Sequence, residues 1–249
     1  MRSLLALVVL ALQALPAAAQ ETCPCPPPSP PPPHWTGSLG AGLALTSGNS
    51  DTRSYNLSFA LAHDPKGRNV VKLEGQYLRS DVDGESTVNR SSALVRDEYG
   101  FGKRAFVFGE VGFLRDEFKE LSYLLAPMVG VGYRVVDRED LAVALDGGVG
   151  GAFEKYADRD STTSGAVKAG ESLTWKISQS AGFTQGFTGL WKTNDFGDAT
   201  YRFGAGITSS VAKRLDLKLA YAWDYKSRPP SPTIKKGDSS LLAALVFKL

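Results

Sequence analysis

The sequence predicts an all-β protein: a closed antiparallel transmembrane β-barrel of about twelve strands. From Trp35 to Leu249, apolar side chains recur at every second position rather than at the helical period of 3.6. Tight turns alternate with longer polar connections along the same stretch. No internal run reaches the roughly 18 apolar residues that a membrane-spanning helix needs. Only every second residue of a barrel strand faces lipid, so an ordinary hydrophobic content of 43% agrees with this fold.

Residues 1–19 have the layout of a secretory signal peptide. Arg2 supplies a positive charge, and residues 4–12 form an almost unbroken apolar run. Pro16 and the small residues Ala17 to Ala19 follow, as expected before a cleavage site between Ala19 and Gln20. The alternative is an N-terminal membrane anchor, which the short apolar run disfavours. We therefore expect an exported protein.

Residues 20–34 are predicted to be a proline-rich periplasmic linker. Proline fixes φ and removes the amide donor, so this segment favours an extended polyproline II conformation. Cys23 and Cys25 flank one proline, and an oxidised pair within or between chains is the first interpretation in an oxidising compartment. Metal binding by the two cysteines and contact of the segment with a periplasmic partner stay open as alternatives.

Residues 35–249 form the predicted barrel. The segment from Leu215 to Lys226 illustrates the pattern, because Leu217, Leu219 and Tyr221 alternate with polar or small residues. Reading each segment in this way places strands at about 36–47, 52–63, 68–79, 88–99, 104–115, 122–136, 140–154, 165–177, 180–191, 198–211, 215–226 and 239–249.

The connections between these segments predict the orientation in the membrane. Short turns alternate with longer polar loops, and the loops are expected at 80–87, 116–121, 155–164, 192–197 and 227–238. The first hairpin, Gly48–Asp51, is short although it lies on the long-loop side. Outer-membrane barrels have short periplasmic turns and longer extracellular loops. An even strand number then puts both barrel ends in the periplasm and predicts an outer-membrane location.

Aromatic residues near the strand ends agree with a membrane-spanning barrel. Tyr221, Trp223 and Tyr225 close one strand just before a long loop. Amphipathic rings concentrate where the lipid meets water, and the two aromatic girdles of such barrels lie there.

Two sequence motifs carry a resemblance to a known family. The run from Thr46 to Thr52 reads TSGNSDT and follows a glycine-rich strand that begins with a tryptophan. Residues 115–121 read RDEFKEL, and residues 130–134 read GVGYR. Together they resemble the salt-induced outer membrane protein family, over roughly Trp35 to Leu249. The resemblance implies a barrel in the outer membrane and no particular reaction.

Residues that could support catalysis are few. His34 lies in the linker, and His63 lies beside a turn at the periplasmic end, far from where a lipid-cleaving histidine would act. The glycine-rich stretch 147–151 lacks the following helix that a phosphate-binding loop requires, which favours a close strand contact. We expect Asp97-Glu98 and Asp116-Glu117 to be solvated rim residues; the alternative is that they bind divalent cations bridging lipopolysaccharide. The sequence predicts no catalytic residue, cofactor or metal.

The candidate site is the barrel interior, which the even-numbered side chains are expected to line. Excess basic charge there favours a narrow, weakly anion-selective pore, whereas mixed signs favour an ion-paired, filled interior. Asp216 points the same way as Lys218 on one strand, and Asp224 points the same way as Lys226. We expect these residues to pair with each other or to bridge to neighbouring strands. The predicted lumen-lining charges are Lys72, Glu74, Arg96, Glu110, Arg134, Asp146, Lys168, Lys176, Arg202, Asp216, Lys218, Asp224 and Lys226.

These features favour a passive envelope barrel, either a narrow small-solute pore or a stress-related structural protein. The alternative is an interaction scaffold that binds a partner through the proline-rich segment or the extracellular loops, and a lipid-modifying enzyme ranks third. The expected partners are outer-membrane lipid, lipopolysaccharide and the outer-membrane insertion machinery. A net charge of only +2 argues against nucleic acid as a partner.

Overall fold

The computed structural model describes residues 35–46, 52–65 and 67–249. The backbone contacts divide the chain into units 1–32 and 33–249, and the described residues all lie in the second. The predicted signal peptide, proline-rich linker and first hairpin, Gly48–Asp51, lie outside the described residues. No helix in the described ranges is long and apolar enough to cross a membrane.

Twelve strands and one single-turn 3-10 helix make up the secondary structure of the described chain. The helix, Glu117–Lys119, begins after Asp116, whose side chain accepts a hydrogen bond from the Lys119 amide. The strands are β1 (Trp35–Thr46), β2 (Thr52–His63), β3 (Asn69–Val82), β4 (Glu85–Gly100), β5 (Ala105–Asp116), β6 (Leu121–Asp137), β7 (Leu141–Tyr156), β8 (Thr162–Lys176), β9 (Ala181–Lys192), β10 (Asp195–Ala212), β11 (Leu215–Lys226) and β12 (Gly237–Lys248).

The strands form a closed antiparallel barrel, which confirms the predicted fold class. Each strand pairs with its neighbours in sequence, and β1 pairs with β12 to close the sheet. This seam runs in register from Ser38 opposite Lys248 to Ala41 opposite Leu245. Closure leaves no open edge, so the backbone groups can be hydrogen-bonded within the hydrocarbon layer.

Alternate residues face opposite sides of the barrel wall, and the parity agrees with the prediction. Odd-numbered apolar residues such as Leu57, Val129 and Leu219 are exposed on the outer face. Even-numbered residues such as Phe106 and Met128 are buried inside. A continuous apolar exterior on a closed barrel is the surface that a bilayer covers.

The barrel has two rims. The terminal rim carries the start of β1, the end of β12 and the connections 64–68, 101–104, 138–140, 177–180 and 213–214. The loop rim carries the connections 47–51, 83–84, 117–120, 157–161, 193–194 and 227–236. The connection 227–236 is the longest of these and will be called the rim loop.

The prediction of a long polar loop is wrong at two places in the sequence. Residues 80–87 and 192–197 instead continue as strand into two-residue turns at the loop rim. Asp83 and Gly84 form one of these turns with φ values of 52° and 85°, the left-handed geometry that a tight hairpin uses. Beyond the lipid, a strand keeps its hydrogen-bonded ladder without needing apolar side chains, so polarity alone does not mark a loop.

Aromatic side chains cluster on β9–β11 near the loop rim, as the girdle prediction requires. The Trp191 indole N–H donates a hydrogen bond to the Tyr201 hydroxyl at 3.1 Å. The Tyr201 ring centre lies 6.1 Å from that of Tyr225, which in turn stacks with Trp223. These rings form a connected band across three neighbouring strands.

The parity assignment predicts opposite effects of arginine at adjacent positions of β11. Leu219→Arg places a charge on the lipid-facing surface and should destabilise the inserted barrel by about 2–4 kcal/mol. Ala220→Arg points into the interior cavity and should cost much less. A folding titration into lipid vesicles measures both variants, and equal losses would contradict the assignment.

Candidate functional site: the barrel interior

Aromatic side chains fill one wall of the interior. Phe106 and Phe108 extend from β5 and are almost fully buried. Glycines on β6 leave the room for these rings, since a Cβ at Gly130 would lie 2.6 Å from Cζ of Phe108 and one at Gly132 would overlap Phe106. Gly148 on β7 approaches Phe108 in the same way. The stretch 147–151 is therefore a close strand contact within β7, as expected.

Seven charged residues surround these rings and will be called the Arg96 cluster. The Arg96 guanidinium contacts Glu98 at 2.9 Å, Glu110 at 2.6 Å and Asp146 at 3.0 Å. Lys168 approaches Glu110 at 2.5 Å. Arg96 is thus the only group of the described cluster that contacts all three carboxylates. The members are Lys72, Arg96, Glu98, Glu110, Arg134, Asp146 and Lys168.

The phenylalanine rings also stabilise the cations of this cluster. The Arg96 guanidinium carbon lies 3.9 Å from the Phe108 ring centre, and Lys168 Nζ lies 5.3 Å from it. The Arg134 guanidinium carbon lies 5.0 Å from the Phe106 ring centre. Cation–π attraction of this kind strengthens when water is excluded. The cluster therefore forms an ordered, filled wall rather than an open path.

A second ion pair crosses the interior near the loop rim. Arg90 on β4 binds Asp224 on β11 through two contacts, of 2.5 and 2.8 Å. These strands lie on opposite walls, with β12, β1, β2 and β3 between them on the shorter way round. Arg202 joins from β10, its Nε 3.5 Å from Asp224. The Arg90–Asp224 bridge thus spans the barrel.

The rim loop lies above this bridge. Pro229, Pro230 and Ile234 line a small cavity together with Arg90 and Asp224. The base of the loop is held at Ser227, whose hydroxyl donates to the Gly197 carbonyl at 2.6 Å and accepts from the Ala199 amide at 2.7 Å. Its tip accepts a hydrogen bond from the Arg159 side chain at the Pro230 carbonyl. The bridge and the loop therefore obstruct the same end of the barrel.

A third group of charges lies beside the bridge and will be called the Asp198 cluster. Asp198 accepts contacts from Lys192 at 2.6 Å and from Lys226 at 2.7 Å. Lys192 also pairs with Glu154. The four side chains are at most 15% exposed, so their charges are largely compensated within the wall.

The remaining interior is a cavity of about 810 Å³. Five charged side chains border it, and two of them, Glu74 and Lys218, have no hydrogen-bond or ion-pair partner within the described residues. The Arg202 side chain is 41% exposed there. Small residues line much of the rest, including Ser38, Ser58, Ala60, Gly204, Gly206, Ala220 and Ala222.

The predicted interior residues thus fall into separate groups. Lys72, Arg96, Arg134 and Lys168 meet in the Arg96 cluster, together with Glu110 and Asp146. Arg202 and Asp224 belong to the bridge, and Lys226 belongs to the Asp198 cluster. Glu74 and Lys218 border the cavity and have no partner in the part of the chain that the structure describes. Lys176 ends β8 at the terminal rim and is exposed.

The expected charges do not pair along single strands, and the alternative of bridges to neighbouring strands is found for Asp216 and Lys226. Asp216 binds Lys248 of β12 at 2.7 Å rather than Lys218. Asp224 binds Arg90 across the barrel, and Lys226 binds Asp198 of β10. Residues two apart on a strand point the same way, but oppositely charged residues on a neighbouring strand or on the opposite wall come closer to them.

Several buried charges were missed, although parity could have identified them. Glu98 and Asp116 are 5% and 7% exposed, so the expectation that they are solvated rim residues is wrong. Glu98 lies within the predicted strand 88–99, two residues after the inward Arg96, and Asp116 lies one residue beyond the predicted strand 104–115 with the same parity as Glu110. The missed residues all have even numbers: Arg90, Glu98, Asp116, Glu154, Lys192, Asp198 and Lys248.

The one histidine of the described residues lies far from the loop rim. His63 ends β2 at the terminal rim, with its ring centre 4.6 Å from that of Trp35. Within residues 35–46, 52–65 and 67–249, no group of three or more histidine, cysteine, aspartate or glutamate side chains could hold a metal ion. The arrangement of the interior instead serves charge compensation and a water-accessible space.

The Arg96 cluster predicts a large stability effect at its centre. Arg96→Met removes the contacts to three buried carboxylates and should lower the free energy of unfolding by about 3 kcal/mol or more. Arg138→Met is the control, because it breaks an exposed pair with Asp140 and should cost less than about 1 kcal/mol. Urea unfolding in lipid vesicles compares the two, and similar losses would contradict the role of Arg96.

Among solved structures, the match to the NanC porin supports the fold, and two others are similar to a lesser degree. The NanC porin is 12% identical, with a TM-score of 0.51, and the match covers 86% of this chain and 100% of that one. The KdgM porin is 10% identical with a TM-score of 0.45 and coverages of 85% and 97%. The translocator domain of the autotransporter NalP from Neisseria meningitidis is 12% identical, with a TM-score of 0.46 and coverages of 86% and 86%. With its closed barrel and apolar exterior, this chain is a bacterial outer-membrane protein.

Sequence comparison gives the family. The uncharacterized protein YdiY of Escherichia coli strain K12 is 24% identical over 216 residues, which is 86% of this chain and 82% of that protein. A family profile described as "Protein of unknown function, DUF481" matches residues 39–249, almost the whole barrel. The chain therefore belongs to the DUF481 family.

Proposed function

We propose that this outer-membrane barrel is a narrow small-solute pore that is closed at the loop rim in the present conformation. The cavity of about 810 Å³ is the observation that carries the proposal. It is bordered by residues of eleven strands, and serine, glycine and alanine make up a substantial part of its lining. A barrel built only as a solid structural element would have no need of such a space.

The Arg90–Asp224 bridge is the barrier in this proposal. The cavity borders include Arg202, but Arg90 and Asp224 themselves border the smaller cavity beneath the rim loop. A solute moving along the barrel therefore has to displace the bridge. The two side chains are 23% and 14% exposed, so water reaches them only partly and the pair resists opening.

The free charges of the cavity set the expected ion preference. Lys218 and the half-exposed Arg202 lie on neighbouring strands, and Glu74 lies on β3. Charges in a narrow channel are screened less than on an open surface, so the basic excess favours anions. The preference is expected to be weak, because Asp224 offsets part of the Arg202 charge.

Conductance of single barrels in planar bilayers tests the barrier. The unmodified protein should give a small current or none. The double variant Arg90→Ala/Asp224→Ala removes both partners of the bridge, leaves no unpaired charge of the pair, and should raise the conductance several-fold. The control is Arg79→Ala/Asp81→Ala, which removes an outward-facing pair at the same rim. A large current in the unmodified protein, or no gain in the bridge variant, would refute the proposal.

Ion selectivity tests the assignment of the free charges. In the background of the open bridge variant, Lys218→Gln should shift the reversal potential toward cations in a salt gradient. Lys226→Gln should change it much less, because Asp198 already compensates Lys226 at 2.7 Å. Equal shifts for the two variants, or a shift toward anions, would show that the lumen charges are assigned wrongly.

The second candidate function is a stress-related structural barrel, favoured by the Arg96 cluster. An interior wall filled by seven charged residues and two phenylalanines adds rigidity that a wide pore would not need. The name of the salt-induced outer membrane protein family, which the sequence resembles, suggests high salt as the stress to test. No current from the open bridge variant, combined with salt sensitivity of a strain lacking the gene, would favour this function over the pore.

Neither function includes a reaction, and the expectation that the protein is not an enzyme stays a prediction. The interaction scaffold also stays a prediction, since its proline-rich segment lies outside the described residues. Deleting residues 21–34 should leave conductance unchanged under the pore proposal. Insertion by the outer-membrane assembly machinery is likewise expected but untested.

A further inference from the structure

Two unpaired cations stand on the outer surface near the loop rim. Arg115 lies at the loop-rim end of β5 and Lys155 at the corresponding end of β7. Both have odd numbers, face outward and are exposed. Neither has a hydrogen-bond or ion-pair partner within the described residues. Tyr123 of β6 lies between them and is the direct register partner of Lys155.

An apolar row lies directly below these cations on the same three strands. Phe113, Leu125 and Phe153 are register partners across β5, β6 and β7. Leu125 and Phe153 are each 39% exposed, so this row is available to lipid. Neighbouring strands are about 4.8 Å apart, which separates the Arg115 and Lys155 backbones by roughly 10 Å. We call these six residues the Tyr123 patch: Phe113, Arg115, Tyr123, Leu125, Phe153 and Lys155.

The charge of this patch is not compensated as it is elsewhere on the outer loop rim. On β3, Arg79 binds Asp81 at 3.2 Å. Arg53 on β2 lies opposite the same Asp81 in the register. The adjacent connection carries two exposed carboxylates, Glu117 and Glu120, and within the described residues neither forms an ion pair with Arg115 or Lys155; Glu117 instead accepts a hydrogen bond from Asn89 at 2.6 Å. The two patch cations therefore remain free to bind an anion from outside the protein.

The position of the patch identifies the chemistry of its ligand. The loop rim carries the longest connection and so faces the cell exterior. The lipid of the outer leaflet there is a glycolipid with phosphates on its headgroup and several acyl chains. Arginine and lysine extend their aliphatic stems along apolar surface while their charged ends reach the headgroup level. The order of the two rows, cationic above apolar, matches that lipid.

We propose that the Tyr123 patch is a binding site for lipopolysaccharide. Arg115 and Lys155 contact the headgroup phosphates through charge-assisted hydrogen bonds. Tyr123 lies at the level of the sugar, and the row of Phe113, Leu125 and Phe153 contacts the acyl chains. The proposal concerns the outer surface and does not depend on whether the barrel conducts.

Direct binding of purified lipopolysaccharide to the full chain in detergent tests the site. The amount retained per barrel after gel filtration is measured over a range of lipopolysaccharide concentrations. Arg115→Gln/Lys155→Gln should weaken binding about tenfold or more, because two charged contacts are lost. The matched control, Arg79→Gln/Asp81→Asn, removes an outward cation at the same rim whose charge is already compensated. It should bind like the unmodified protein.

Further arms identify the ligand and guard against a folding defect. Dephosphorylated lipopolysaccharide should bind the unmodified protein as weakly as intact lipopolysaccharide binds the double variant. The charge-preserving Arg115→Lys should retain most of the binding, and heat-dependent gel mobility verifies that each variant forms a barrel. If the double variant does not fold, the single Lys155→Gln variant replaces it, with a smaller loss expected.

Three outcomes would overturn the proposal. Unchanged binding by the patch variant would show that the patch is not the site. An equal loss in the Arg79→Gln/Asp81→Asn control would show a general charge effect rather than a site. Equally tight, patch-dependent binding of phosphatidylglycerol would show a site for any anionic lipid rather than for lipopolysaccharide.

Discussion

The pairing of β1 with β12 is the contact on which the whole structure depends. In a bilayer, each unpaired backbone amide or carbonyl costs several kcal/mol, so a sheet is stable there only if it closes on itself. The register from Ser38 opposite Lys248 to Ala41 opposite Leu245 supplies that closure. Once the sheet is closed, every strand side chain must face either lipid or the interior. The lipid favours apolar side chains, whereas the interior accepts polar and charged ones.

This division explains why charge is so strongly paired inside the barrel. Odd-numbered positions are used by lipid-facing apolar residues, so the charges of the strands concentrate on the even-numbered face. A buried charge without a partner is costly, whereas a network with several contacts satisfies it. Arg96, held by three carboxylates and the Phe108 ring, is the clearest case. The same wall then cannot serve as a solute path.

The two walls of the barrel therefore have different roles. The Arg96 cluster fills the side formed by β3–β8, and its contacts connect neighbouring or nearby strands. The cavity borders every described strand except β7, and small residues such as Ala60, Gly204 and Ala220 line it on the side away from the cluster. Two ion pairs of the described residues cross from one wall to the other: the Arg90–Asp224 bridge, and the Lys119–Asp238 pair at the loop rim. A contact that spans the lumen can open without unfolding the wall, because neither strand relies on it for backbone pairing.

Sequence alone was sufficient for the strands, their parity and the closed fold, because period-two alternation, as in Leu215–Lys226, is a local property of each segment. It also assigned Arg96, Asp224 and Lys218 to the interior. The partners were beyond it: Asp224 meets Arg90 only because closure places β4 and β11 on opposite walls. The strand ends that replace the predicted loop 80–87 were missed because polar residues outside the lipid layer can still pair by backbone hydrogen bonds as β-strands. Which charges pair, and where a cavity remains, depends on contacts between distant strands, and those are decided by the tertiary structure alone.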